Sequence, residues 1–282
     1  MNLLKDQETA IPSGMSRRSF FKCASVATSA VALSGLLGMG AASGQELDAD
    51  TKGDSAHGYL KKRDRDILVA AQIAEALAVT TYSNIINIAP FFTRIPSDDQ
   101  GYLMAARQEE MSHYLLEQSV TDQFTPFTSF FYPHDMFADT QTTLNTLVTL
   151  EDAFIAAYLV GVRNFSTTQL RVTAARIMGI ESDHRTLARV IGPDVAAQDG
   201  GPIETITGAQ GVAESAAPPN NNGYERTLCW TEIDQALDAL MPFVDKTAAT
   251  KAGFDTSKSY PFEPFNPVLP SPLGEFISFK GC

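Results

Sequence analysis

Between residues 63 and 191 apolar side chains recur with the 3.6-residue period of amphipathic helices, and four long segments carry that period. The first covers residues 63–89 and stops at Pro90. The second opens at Ser97-Asp98-Asp99-Gln100, a capping-box pattern, and runs to residue 119. The third covers residues 140–163. The fourth opens at Ser166-Thr167-Thr168-Gln169, a second capping box, and runs to Ile191 before Gly192-Pro193. Short links join the first helix to the second and the third to the fourth, so each pair is expected to be antiparallel neighbours. A Phe- and Pro-rich stretch, residues 121–139, lies between the pairs. Its roughly 20 residues can reach about 66 Å, more than the ~40 Å length of the first helix, so it can cross the whole bundle and leave the second and third helices parallel. The pattern predicts an all-α four-helix bundle with one long crossover. Residues 192–223 are dense in Gly and Pro and predict a loop. Residues 224–282 predict a short helix at 231–240 and an irregular, extended tail packed on the bundle.

Each buried stripe contains an acid where a core residue belongs. In the first helix the stripe is Leu68, Ala71, Glu75, Ala78/Val79 and Tyr82. The third reads Leu144, Leu147/Val148, Glu151, Phe154/Ile155 and Tyr158. The second reads Leu103, Ala106, Glu110 and His113/Tyr114, and the fourth Ala174, Ile177/Met178, Glu181, His184 and Ala188. In the second and fourth, Glu and His are three residues apart and project from one face. With four His in the chain, random placement gives about 0.2 Glu-x-x-His pairs, against one on each of two helices here. All four Glu fall near mid-helix, so the bundle brings them to one level.

Buried carboxylates need a partner. A single uncompensated one costs several kcal/mol even after relaxation. Arg107 and Arg185 sit one residue off the stripes and cannot neutralise all four. Two divalent cations would, with His113 and His184 completing the ligand set as neutral imidazoles. A Glu from each of two helices with Glu-x-x-His from each of the other two is the dinuclear arrangement of carboxylate-bridged iron and manganese bundles. Mixed oxygen and imidazole ligands suit those two metals and do not choose between them. Zinc ordinarily takes fewer ligands and needs no second ion. Without a metal, the same residues would form a buried polar network.

On these residues, the segment 63–191 resembles the ferritin-like superfamily, which includes ferritins, bacterioferritins, rubrerythrins and manganese catalases. The resemblance implies that Glu75, Glu110, His113, Glu151, Glu181 and His184 hold two iron or manganese ions, with Glu110 and Glu181 bridging them. It also implies chemistry with O2 or peroxide, in protection from oxidative stress. There are no CxxC pairs for a rubredoxin-type iron, and no clear signal for haem or a storage cage. With its N-terminal signal and Gly/Pro-rich tail, the chain most resembles secreted ferritin-like proteins related to plant desiccation-induced proteins. Two alternatives follow from the same resemblance: a manganese-catalase-like peroxide dismutase, and a desiccation-type structural protein whose metal only holds the bundle together.

Glu109 points about 100° away from Glu110 and reads as a solvated residue rather than a partner to a histidine. Tyr82 and Tyr158 read as core aromatics, with a role beside a metal ligand as the alternative. His134 reads as a loop residue and His57 as a linker residue. Phe124, Phe127, Phe130, Phe131, Tyr132 and Phe137 are expected to cover the bundle, or else to make a contact between copies of the chain in a homo-oligomer. Cys229 and Cys282 are the two cysteines beyond the N-terminal segment, and a disulfide between them or two thiols are both open readings.

The N-terminus is built differently. Ser16-Arg17-Arg18-Ser19-Phe20-Phe21-Lys22 precedes a soft apolar run from Cys23 to Gly40 and then Ala41-Ala42-Ser43-Gly44. This resembles a twin-arginine secretory signal over residues 1–44, followed by a linker over 45–62. Ser25, Thr28, Ser29 and Ser34 make the run weak as a membrane anchor, so a periplasmic or secreted protein with no anchor after cleavage is expected. The full chain has net charge −12, and loss of residues 1–44 removes four positive and two negative side chains, leaving −14. So acidic a chain is a poor partner for nucleic acid.

Overall fold

The computed structural model describes residues 60–196, 205–207, 213–215 and 228–268. The signal segment, most of the linker, most of the Gly/Pro-rich stretch and the last residues, Cys282 among them, lie outside the described residues. So therefore does the Cys229–Cys282 pairing; Cys229 itself is exposed.

The four expected helices are present: α1 (Lys62–Ile88), α2 (Ser97–Thr121), α3 (Thr140–Asn164) and α4 (Thr168–Ala196). α1 packs along α2 and α3 along α4, with thinner contacts between α1 and α3 and between α2 and α4. Tyr82 and Glu75 of α1 meet Glu151 and Tyr158 of α3 in reversed order, so α1 and α3 run antiparallel and α2 and α3 parallel. α1 is the most enclosed element. All of Ile67 to Tyr82 is buried, which accounts for its near-continuous apolar run. α3 is apolar and long enough to cross a membrane by length and composition, and 61% of that window is buried inside the bundle.

The caps differ from the expected ones. The Ser97 capping box does not form: helical geometry already begins at Ser97, Pro96 occupies the cap position, and no side chain caps the end. At α4 the cap moves by one residue, with the Leu170 amide donating to Thr167 Oγ1 at 3.2 Å. Ser166 is drawn away by buried Asp64, which accepts from the Ser166 amide at 2.9 Å and from its hydroxyl. Asp139 caps α3 by accepting from the Thr142 amide at 2.7 Å. α4 does not stop at Ile191 but continues through Pro193 to Ala196.

The fold is not wholly helical. The crossover carries β1 (Ser129–Pro133), and the stretch read as a loop carries a small antiparallel pair, β2 (Thr205–Thr207) with β3 (Ala213–Ser215). After α5 (Ile233–Val244), longer than expected, and α6 (Lys246–Lys251), the chain forms β4 (Phe254–Pro261). β4 pairs antiparallel with β1, from Ser129↔Pro261 to Pro133↔Phe254, with an irregularity between Phe130 and Tyr132. The tail is thus a strand pinned to the crossover, where an irregular segment was expected. The strand pair supplies partners for backbone groups that a bare crossover would leave unpaired. Phe127, Phe130, Tyr132 and Phe137 are buried beneath it, while Phe124 is exposed. Tyr132 packs edge-on against Phe137, Phe243 and Tyr260, tying the crossover, α5 and β4 into one aromatic layer. His134 is exposed in the turn after β1, as expected.

Gly161 lies where α3 comes close to its surroundings. A Cβ there would meet Phe165 Cε2 at 2.8 Å and the Ala174 Cβ at 3.3 Å. Gly161→Ala is therefore expected to destabilise the protein by about 1–3 kcal/mol, despite the higher helix propensity of Ala. Urea unfolding checks this, and an unchanged or raised midpoint would contradict it.

Candidate metal centre

The bundle brings all six predicted site residues to one level. Glu75, Glu110, Glu151 and Glu181 are buried to 2% exposure or less, and His184 to 3%. They fall into two overlapping sets. Glu75, Glu110, His113 and Glu181 each offer one ligand atom within 4.8 Å of the others, and so do Glu110, Glu151, Glu181 and His184. Glu110 and Glu181, from α2 and α4, are common to both.

The histidines aim Nδ1 into the cluster. His113 Nδ1 lies 3.6 Å from Glu75, 3.4 Å from Glu110 and 3.3 Å from Glu181. His184 Nδ1 lies 2.9 Å from Glu110 Oε1 and 3.3 Å from Glu181. On the far side of its ring, His184 Nε2 is 2.8 Å from Glu109 Oε2. Glu109 is thus not the purely solvated residue expected. Its side chain is 38% exposed, yet its tip reaches the neighbouring helix and fixes the ring from behind. The 100° offset that takes it off the α2 stripe points it at α4.

Tyr82 and Tyr158 are buried core aromatics, as expected, and they also hold cluster acids. Tyr82 Oη donates to Glu151 Oε1 at 2.7 Å. Tyr158 Oη contacts Glu75 and also lies 2.8 Å from Glu117 Oε1. A phenol has one proton, so a hydrogen bond in both Tyr158 contacts requires one of the two carboxyls to carry a proton. The site therefore has an exchange-symmetric plan. Glu75 and Tyr82 on α1 answer Glu151 and Tyr158 on α3, while the Glu-x-x-His pairs of α2 and α4 face each other.

Glu117 is the acid that the sequence reading missed. It is buried at 2% exposure, one heptad beyond Glu110 on the same α2 stripe, and that spacing could have found it. Arg107 and Arg185 have partners outside the six-residue cluster. Arg185 donates to Asp152 at 2.7 Å in a buried pair, and Arg107 lies 5.0 Å from the Phe265 ring.

Electrostatics leave this cluster short of positive charge. Burial, reinforced by the charges of Glu110 and Glu181, raises Glu75 and Glu151 well above the ordinary carboxyl range, and burial does the same to Glu117. Burial works against charge on both histidines too, but the carboxylates around them prevail and raise both. Burial also opposes ionisation of Glu110, yet the charge and hydrogen bond of His184 and the nearby His113 ring hold it below the usual range. Burial and the nearby carboxylates keep Tyr82 and Tyr158 as neutral phenols.

Several buried acceptors have no hydrogen-bond partner: Glu75 Oε2, Glu110 Oε2, Glu151 Oε2 and both oxygens of Glu181. Orphaned oxygens converging with two imidazoles fit divalent cations, which would take the places otherwise held by protons. The donor set, carboxylate oxygens with two nitrogens and no thiolate, is that of hard or borderline metals.

Comparison with curated proteins and with solved structures returned no match. Comparison with family models matched the ferritin-like domain over residues 63–191. Residues 63–191, which carry all six residues of the cluster, belong to the ferritin-like superfamily.

Proposed function

We propose that the chain is an exported ferritin-like protein whose bundle holds two iron or two manganese ions, and that its chemistry is directed at O2 or peroxide. The observation that carries this reading is the pair of four-residue sets sharing Glu110 and Glu181. In this reading Glu75 and His113 would hold one ion and Glu151 and His184 the other, with Glu110 and Glu181, which belong to both sets, shared between them. Bound iron or manganese would supply one-electron redox chemistry toward an oxidant. The protein's own part is to bury the site, to present Nδ1 of both histidines inward, and to hold Glu75 and Glu151 through Tyr158 and Tyr82. Export by the twin-arginine route, and a role in oxidative-stress or desiccation protection, rest on the N-terminal pattern and the family resemblance.

Metal analysis by mass spectrometry on the mature chain exported by its own signal tests the reading. About two iron or manganese ions per chain are expected. Iron directs the next assay to ferrous oxidation or peroxidase activity, and manganese directs it to O2 release from peroxide. No bound metal would sink the reading and leave a buried polar network.

Glu109 gives a finer test. An acid behind a metal-bound His orients the ring and raises its basicity, and removing such a partner lowers metal affinity about 10- to 100-fold. Glu109→Ala is expected to weaken metal binding by that factor in competition with a chelator, while the fold, read by circular dichroism, is kept. Unchanged affinity would show that Glu109 does not support a ligand.

A further inference from the structure

A cavity of about 30 Å³ lies inside the bundle at the end where α1 and α4 begin and α2 and α3 finish. Carbon lines nearly all of it: Ile67, Leu68 and Ala71 from α1, Ala174 and Ile177 from α4, and Phe165 after α3. The buried polar groups on its wall are Glu117 and Tyr158, the two that lead by hydrogen bonds to Glu75. The half-buried Leu116, Val120, Leu170 and Ile233 complete the lining toward the surface.

We propose that this cavity is a binding site for molecular oxygen that supplies the Glu75–His113 side of the cluster. The proposal rests on the redox-metal reading above and sharpens it, because it selects O2 over peroxide. Size comes first. About 30 Å³ of space open to a water-sized sphere is room enough for a diatomic molecule. Chemistry comes second. Peroxide has two donors and several lone pairs, and most of this wall offers nothing to bond, so leaving water for it costs peroxide heavily. O2 makes almost no hydrogen bonds in water and gives up nothing on entering. Position comes third. The cavity ends on Tyr158, which touches Glu75 directly, so a single side chain separates its inner end from the cluster.

Xenon is the probe, being apolar, of suitable size and blind to metal. Methyl NMR of the mature chain under xenon pressure should shift the Ile67, Leu170 and Ile177 signals. Ala174→Leu, filling the cavity from its buried wall, and Val120→Phe, filling it from the half-buried side, should each abolish those shifts. In the ferrous-loaded protein either filled variant should slow oxidation by O2 about tenfold while oxidation by peroxide stays within about twofold. Wild type without xenon-induced shifts overturns the proposal, as does a folded filled variant that slows both oxidants equally or neither. Metal content measured on the same samples separates the two ideas. A wild type that loads no metal overturns the functional reading, whereas loaded protein that ignores xenon overturns the oxygen site alone.

Discussion

Replacing Glu110 by Ala is expected to strip both metal ions from the protein, and replacing Glu75 by Ala only one. The difference follows from how the two ligand sets overlap. Glu110 belongs to both, while Glu75 belongs only to the set containing His113, so its loss leaves Glu110, Glu151, Glu181 and His184 together. The expected contents are about two ions per chain in wild type, about one in Glu75→Ala and near background in Glu110→Ala. Glu110 also sits between the two imidazoles, so deleting it removes the one carboxylate that both rings share with Glu181. Glu110→Gln, which keeps the volume and one acceptor, guards against mistaking unfolding for metal loss. A Glu110→Ala protein that keeps one ion, or a Glu75→Ala protein that loses both, would refute the bridging assignment.

Chelation should lower stability, and by more the higher the pH. The direction comes from the shifted groups. Glu75, Glu117 and Glu151 are raised above 4.5, and His113 and His184 above 6.5, so what each contributes is complete below its ordinary value and is lost as pH rises through its folded value. Glu110 is lowered, so its contribution is present above 4.5 and fades as the solution turns acid. The metal-free protein should therefore be most stable near pH 4.5, weaken above that as the three raised carboxyls lose their contribution, and weaken more steeply above 6.5 as the histidines do. In the loaded protein cations replace the protons, and the alkaline decline should flatten. Binding at a thousand times Kd adds about 4 kcal/mol, or roughly 8–16 °C in Tm for a domain of this size. Thermal melts with and without chelator across pH 5 to 9 would check this. A metal-free Tm that is flat or rising over that range would refute it.

The helices and all six cluster residues were legible in the sequence because both depend on a local period. A single acid in a stripe whose other members, three and four places apart, are apolar stands out without knowledge of any neighbour. Glu117 was equally legible and went unremarked because no His accompanies it. Glu109 was not legible, since its partner is on another helix and its own position reads as surface. The β1–β4 pair was hidden for a stronger reason. Its strands lie over a hundred residues apart, and neither the short β1 nor the polar β4, Phe254–Pro261, has an alternation strong enough to announce a strand alone. The N-terminal ends of α2 and α4 show the limit of capping motifs. Ser97 and Ser166 match the pattern, but Pro96 and Asp64 decide what those hydroxyls do.

The mirrored plan of the cluster is broken in two places. Exchanging α1 with α3 and α2 with α4 carries Glu109 onto Ile180 and Glu117 onto Ala188. His184 therefore has an anionic brace that His113 lacks, and Tyr158 has a second acid that Tyr82 lacks. If the cluster holds two ions, its two halves would be wells of different depth: the braced His184 side is expected to fill first, and the His113 side, with its spare acid and the cavity behind it, to be the later and more exchangeable position. A centre that looks like a matched pair on paper would load, empty and respond to its surroundings one ion at a time.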